Sequence, residues 1–224
     1  MHYPEVYIGR CAPFVGGKNS AIAKRQMADA LVLQRLGLAG DEQAELRVHG
    51  GADRALCHYP REHYAYWRQC YPQQAERFEA ALFGENLSTL GLDESLVFIG
   101  DIYRWGEALI QVTQPRSPCY KLNQLLATED FAYQMQQSGR CGWLYRVLSE
   151  GRVGERHPLE LVTRNSEISV AECIAIVLHM PFDQAEYRRL LACAGLAASW
   201  TKTLQNRLLQ GRIESMNRRL YGRE

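Results

Sequence analysis

The sequence predicts a mixed α/β fold, mainly β, in which short strands build a barrel or sandwich with peripheral helices, followed by a small three-helix bundle. Three observations predict it. Up to about residue 163 the chain alternates short apolar runs with Gly, Pro and Asp turns. After that, helix-start residues and helix-stop glycines take over. The leucines of that last part recur at helical spacing.

The strand runs are VYIG (6–9), RALCHY (54–59), SLVFIG (95–100), DIYRWG (101–106), ALIQVTQP (108–115) and LELVTR (159–164). Strands this short, separated by turns, suit a closed or two-layered β architecture. Three helices are expected among them. One starts near Pro60 and ends before Pro72, because proline fits a first helical turn and keeps its predecessor out of a helix. A second starts at Thr128 and stops before Gly139, and a short third covers Trp143 to Leu148. The boundary is drawn so that residues 1–163 form the β domain and 164–224 the helical one. In the latter, Ser169-Val170-Ala171-Glu172 is a capping box, and Asp183 to Glu186 repeats the pattern. A final helix follows Ser199 and is stopped by Gly211. Leu190, Leu191, Leu204, Leu208 and Leu209 supply the apolar faces of this bundle.

Composition narrows the function. Of 224 residues, 46% are hydrophobic and 23% charged, enough for a buried core. The net charge of +1 disfavours nucleic acid or acidic lipid as a general partner. The longest apolar stretch, Ile174 to Met180, falls far short of the roughly 20 residues that span a bilayer. With no secretory pattern at Met1 to Pro13, a cytoplasmic location without a membrane partner is expected. The seven cysteines are scattered, with no C-x-x-C pair, so reduced single thiols are expected.

The loop Gln114-Pro115-Arg116-Ser117-Pro118-Cys119-Tyr120-Lys121 carries the strongest chemical signal. Two prolines stiffen it, and Arg116 and Lys121 place positive charge beside Cys119, which favours a thiolate able to attack, carry sulfur or bind a soft metal. A small buried cysteine in a turn is the competing reading. His49-Gly50-Gly51, followed by Arg54, combines an imidazole with backbone freed to present N–H groups and a guanidinium for phosphate. Isolated, it reads more readily as a tight turn with a polar histidine. Asn86, after Gly84-Glu85, offers both a donor and an acceptor to a heterocycle edge. Lys24 follows a Gly-Gly turn that lacks phosphate-loop spacing. His58 and His63 have no zinc-ligand spacing and are discounted as metal ligands.

In this order, KNSAIAK, GLAGDEQAELRVHGGADRALCHYP, FGENLSTLGL and IGDIYRWGEALIQVTQPRSPCYKL strongly resemble the MOSC domain, named for the C-terminal domain of molybdenum-cofactor sulfurases. The C-terminal helices resemble the three-helix appendage of its YiiM branch. The resemblance implies a MOSC-type β-barrel that binds a molybdopterin-type molybdenum cofactor. Cys119 matches the family's signature cysteine, which implies a metal-binding or sulfur-carrying thiolate. Lys24, His49, Gly50, Gly51, Arg54, Asn86, Arg116 and Lys121 fall on motif positions implied to line the cofactor pocket. Glu45 departs from the Asp of many members, which lengthens the reach at that position.

Relatives in this family imply reduction of N-hydroxylated compounds, hydroxylaminopurines among them, to amines. Catalytic roles would fall to Cys119 and to His49 as proton donor. No iron–sulfur or dinucleotide fingerprint is present, so a separate electron-donor reductase is the expected partner. A homodimer is an admissible assembly. Two alternatives stand beside this: a persulfide-transfer protein acting through Cys119, and a cofactor carrier without turnover. Arg207, Arg212, Arg218, Arg219 and Arg223 read as a basic tail. A solvated helix face is its ordinary explanation, with an acidic redox partner or nucleic acid as the alternatives.

Overall fold

The computed structural model describes residues 1–45 and 50–223. Among these, the strands are β1 (Glu5–Ile8), β2 (Ala12–Pro13), β3 (Asn19–Ser20), β4 (Arg25–Gln26), β5 (Leu31–Gln34), β6 (Gly37–Leu38) and β7 (Leu56–His58). They continue with β8 (Leu87–Ser88), β9 (Ile102–Trp105), β10 (Ala108–Pro115), β11 (Trp143–Ser149), β12 (Gly151–Val153) and β13 (Leu159–Thr163). The helices are α1 (His63–Cys70), α2 (Lys121–Leu126), α3 (Phe131–Ser138), α4 (Val170–Ile174), α5 (Gln184–Leu191), α6 (Ala198–Gln210) and α7 (Asn217–Tyr221).

Eight strands form one sheet in the order β13-β9-β10-β11-β7-β8-β1-β4. Its pairings are antiparallel except β7 with β8, where His58 faces Leu87 in parallel. The sheet curls into a half-barrel, and an isolated bridge from His2 to Leu159 ties its two flanks together. Inside lie Leu56, Ile110, Val112, Trp105, Trp143 and Tyr145. A smaller sheet, β12-β5-β6, sits beside it.

The central strand β10 is buried along nearly its whole length, on both faces. A strand covered on both sides reads as a continuous apolar run, which explains ALIQVTQP. The barrel core covers one face and the C-terminal helices the other. Ala197 N–H donates to the Thr113 carbonyl at 3.0 Å, and Val170 N–H to Val97 at 2.7 Å. Gly100 permits this contact: its φ is +84°, and a Cβ there would stand 2.0 Å from the Ala194 carbonyl oxygen. A register shift between Val112 and Gln114 marks a bulge just before the cysteine loop. Bulges re-aim a strand end, here towards the cavity described below.

Helix boundaries follow the capping residues. Ser169 Oγ accepts from Glu172 N–H at 3.1 Å, and Asp183 Oδ1 from Ala185 N–H at 2.8 Å. Glu172 does not close its box; its carboxylate pairs with Arg189. Gly139 and Gly211 end α3 and α6 in left-handed backbone. α4 continues as a π turn over Ala175–His179 and stops before Pro181.

Five expectations change. The second helix begins at Phe131 after Asp130, not at Thr128. Trp143 to Leu148 is strand, not helix, and Trp143, Tyr145 and Val147 alternate into the core. SLVFIG makes no strand; Val97 and Ile99 are buried from a turn, and Phe98 forms only a bridge to Ser169. Ser199 lies within the first turn of α6, whose cap is Ala197. Leu209 is exposed, so Leu190 and Leu204 carry the apolar contact instead. All seven cysteines are free, and no helix among the described residues is long and apolar enough to cross a membrane.

His58 gives this core a pH dependence. It is wholly buried, with Nε2 2.8 Å from Thr89 Oγ1 and Nδ1 3.1 Å from the Tyr145 hydroxyl. Burial, aided by His2, pushes its pKa down to about 3. The unfolded chain takes up this proton below about pH 6.5 while the folded one does not, so stability is full above that pH and falls as pH drops towards 3. From pH 7 to 5 this one group costs about 2 kcal/mol. Urea titrations of the wild type and His58→Gln at both pH values should show a shallower loss in the variant. Equal losses would remove His58 as the acid-sensitive group.

Candidate functional site

A cavity of about 1110 Å³ opens where β10 ends, between the half-barrel and the C-terminal helices. Lys24, Arg54, Asn86, Arg116, Cys119 and Lys121, all expected from sequence, line it together. Gly50 and Gly51 are not among the lining residues; Gly51 instead accepts from Arg54 N–H at 2.9 Å and so starts the turn that presents Arg54. His49 lies outside the described residues.

The cysteine loop is fixed at both ends. Arg116 N–H donates to the Gly142 carbonyl at 3.0 Å, continuing the β10–β11 ladder one residue past Pro115. After it, Leu122 N–H donates to the Cys119 carbonyl at 2.9 Å, which starts α2. Cys119 therefore sits at a strand-to-helix corner and is half-buried.

The Arg116 guanidinium lies beneath this corner. Its Nη2 donates to the Phe83 carbonyl at 2.6 Å, whereas Nη1 is buried without a hydrogen-bond partner. Burial alone would lower its pKa, yet neighbouring Cys57, Glu85 and Cys119 reverse this and raise it, so it stays charged. A buried N–H left unpaired costs about 1–3 kcal/mol, more for a charged group, unless a ligand takes it.

The lysines are held by carboxylates. Lys121 Nζ lies 2.8 Å from Glu45 Oε2. Lys24 pairs with Asp41, and both side chains are almost fully enclosed. Asp41 also accepts from Gly9 N–H and from Asn86 Nδ2, each at 2.7 Å. Asn86 spends its remaining groups on the Cys57 N–H at 3.1 Å and the Tyr7 carbonyl at 3.2 Å. Its amide thus braces Asp41 and, through it, Lys24.

Arg54 reaches the other wall, where Nη2 donates to Ser199 Oγ at 3.2 Å. Its pKa is lowered by burial, with Asp53 partly opposing. Asp53 itself pairs with Arg146 at 2.8 Å and accepts from Ala198 N–H at the start of α6. The same turn therefore anchors the helical part and presents Arg54.

Sequence reasoning missed two residues here. Asp41 lies in an ordinary Gly-Asp turn, and only the fold encloses it with Lys24. Cys57 lines the same cavity as Cys119. Burial pushes the Cys57 thiol up, with Arg116 pulling the other way. Its alternation between buried Leu56 and His58 was the available signal.

The basic tail is also not what its composition suggests. Arg207 is buried, with Nε and Nη2 each 2.8 Å from a Glu214 oxygen, and Nη1 donates to the Val177 carbonyl. Arg207, Arg218 and Arg219 line the cavity. Among the described residues, seven Lys or Arg against four Asp or Glu make the lining net positive, which suits an anionic occupant.

Comparison with known proteins agrees with this architecture. The MOSC domain model matches residues 45–160, and the YiiM-like, 3-alpha helix domain model matches residues 168–211. Protein YiiM of Escherichia coli (strain K12) is 59% identical over 224 residues, all of both chains. The crystal structure of YiiM from Escherichia coli superposes with a TM-score of 0.87 at 52% identity, covering 99% of this chain and 100% of that one. A protein of Gibberella moniliformis named "Reductase" is 36% identical over 67% of this chain, a segment that is 27% of its own length. The curled sheet and the helices that follow it thus have the architecture of a recognised group, and this chain belongs to the MOSC domain family, with the YiiM-like 3-alpha helix domain at its C-terminal side.

Proposed function

We propose that the cavity binds a molybdenum cofactor and that the protein reduces N-hydroxylated compounds, such as hydroxylaminopurines, to amines. One observation carries the reading: Arg116, partly buried in the cavity wall, keeps an unpaired buried Nη1 and interacts electrostatically with the half-buried thiol of Cys119. That pairing suits a ligand with an anionic part and a soft metal. The residues fit such a group. Arg116 and Lys24 would hold its anionic part, Arg54 would add a second guanidinium, and Cys119 would meet the metal. Among the described residues no cluster of three or more His, Cys, Asp or Glu could hold a metal. A single protein thiolate suits a metal that arrives with its other ligands.

When bound, the cofactor supplies a two-electron redox centre able to accept the oxygen of an N–OH group. The chain's residues supply the rest. Arg116 and the Lys24–Asp41 pair fix the occupant's orientation, and Asn86 keeps that pair in place. Trp200 and Leu144, both in the cavity lining, would limit water around the occupant. The proton donor expected at His49 belongs to the undescribed segment. Overall, each N–OH takes two electrons and two protons and leaves as amine and water, with electrons from a separate reductase. The Gibberella relative's printed name agrees with the reaction class.

The test is expression in a host that makes the cofactor, followed by molybdenum and pterin content per chain. Amine formation from a hydroxylaminopurine would then be assayed with a reduced donor. Stoichiometric molybdenum and donor-dependent amine are expected. A loaded protein that forms no amine, with a donor competent on another acceptor, would sink the reductase reading.

A further inference from the structure

The residues on either side of Cys119 are both held by one residue of the last helix. Arg219, on α7, donates from Nη1 to the Pro118 carbonyl at 2.6 Å. The Arg219 backbone carbonyl accepts from Tyr120 N–H at 2.8 Å. Cys119 is thus straddled by two hydrogen bonds to the same partner. The second arm of the guanidinium, Nη2, reaches Gln136 Oε1 at 2.5 Å, and Gln136 is buried on α3. Its neighbour reinforces the contact: Asn123 Nδ2 on α2 donates to the Leu220 carbonyl at 2.8 Å.

α7 is itself held in place. The paired Arg207–Glu214 bond fixes the segment that leads into it, and Gly222, at φ +72°, lets the chain end of α7 lie on the Tyr120 ring. A Cβ at Gly222 would stand 3.0 Å from that ring. From the far side Lys18 Nζ donates to the Tyr120 hydroxyl at 2.8 Å.

We infer that Arg219 is the positioning residue for Cys119, clamping its loop through the carbonyl before it and the N–H after it. The value of this placement to catalysis rests on the proposed role of Cys119; the clamp itself does not. Loss of the guanidinium leaves the Pro118 carbonyl and the Gln136 amide without their charged donor, and the loop gains freedom at the corner that aims the thiol. Lysine would restore one donor but not the planar fork that bridges loop and α3.

The experiment is peptide-resolved amide hydrogen exchange on the full chain without cofactor, comparing wild type, Arg219→Ala and Arg219→Lys. The alanine variant should exchange about tenfold faster in the peptide covering 116–122, as expected for one lost charge-assisted hydrogen bond. Peptides over β9 and β10 should stay unchanged, and the lysine variant should fall between. Exchange at 116–122 equal to wild type would overturn the inference. So would faster exchange spread evenly over the β-sheet, since that would make Arg219 a general stabiliser. Molybdenum per chain in protein from a cofactor-making host separates the two layers. A loosened loop with unaltered molybdenum supports the clamp and counts against Cys119 as the metal's thiolate.

Discussion

Cys119→Ser should strip molybdenum from protein made in a cofactor-producing host while leaving the fold and much of the pterin in place. Serine differs by one atom, and the bonds that shape the corner are backbone bonds, Leu122 N–H to the Cys119 carbonyl and Arg116 N–H to Gly142. What changes is the donor. A thiol is a soft donor that a metal deprotonates on binding, whereas a hydroxyl is hard and keeps its proton. Arg116 and Lys24, the groups proposed to hold the anionic part, are untouched, so pterin retention should fall less than metal retention. Turnover should drop by more than the roughly 100-fold that loss of an outer partner costs, since this residue would be the ligand itself. Elemental and pterin analysis of the same sample, with wild type alongside, reads both quantities. Equal molybdenum in the two proteins would keep the cavity and remove Cys119 as a required ligand.

Asp41→Ala should be among the most destabilising single changes in the chain. The Asp41 carboxylate is 3% exposed, and its partner Lys24 is 5% exposed, so removing the anion leaves a cation enclosed without compensation. Gly9 N–H and Asn86 Nδ2 lose their acceptor at the same stroke. Breaking one side of a buried pair costs about 3–5 kcal/mol, or roughly 6–20 °C in Tm for a protein of this size. Replacing both partners, Lys24→Met with Asp41→Leu, should recover much of the loss, because an apolar pair needs no counter-charge. The double variant should nevertheless bind cofactor poorly, which separates stability from binding. A loss under about 1 kcal/mol for Asp41→Ala would mean that Lys24 finds solvent or another anion.

Legibility in the sequence tracked how local each signal was. Ser169, Asp183, Gly139 and Gly211 are caps whose action needs only their immediate neighbours, and the helix bounds followed them. WLYRVLS fits a helical stripe through Trp143, Leu144, Val147 and Leu148 as well as a strand face through Trp143, Tyr145 and Val147. Pairing with β10 decided between them, and no short window contains that partner. α2 and α7 are only six and five residues long, too short to leave a periodic pattern. In the site, the cysteine loop was readable because its prolines, cations and thiol are contiguous. Asp41 and Cys57 were not, because each gains its role from a side chain that the fold brings from elsewhere. Arg207 and Arg219 were misleading for the same reason: composition shows a basic tail, whereas carboxylate and carbonyl partners from distant segments bury or clamp those groups.

The grips on the cysteine loop come from far along the chain in both directions. Lys18 reaches Tyr120 across 102 positions, and Arg219 reaches Pro118 across 101. Contacts of such separation form late in folding, since each must first close a long loop against chain entropy. The loop can acquire its final shape only after the sheet and the last helices have met. A ligand that needs this shape therefore does not guide the early chain; it selects finished molecules and deepens the native basin by mass action. The escape of such a ligand would in turn be slowed by the same long-range closures, so its retention and the assembly of the loop would share one topological origin.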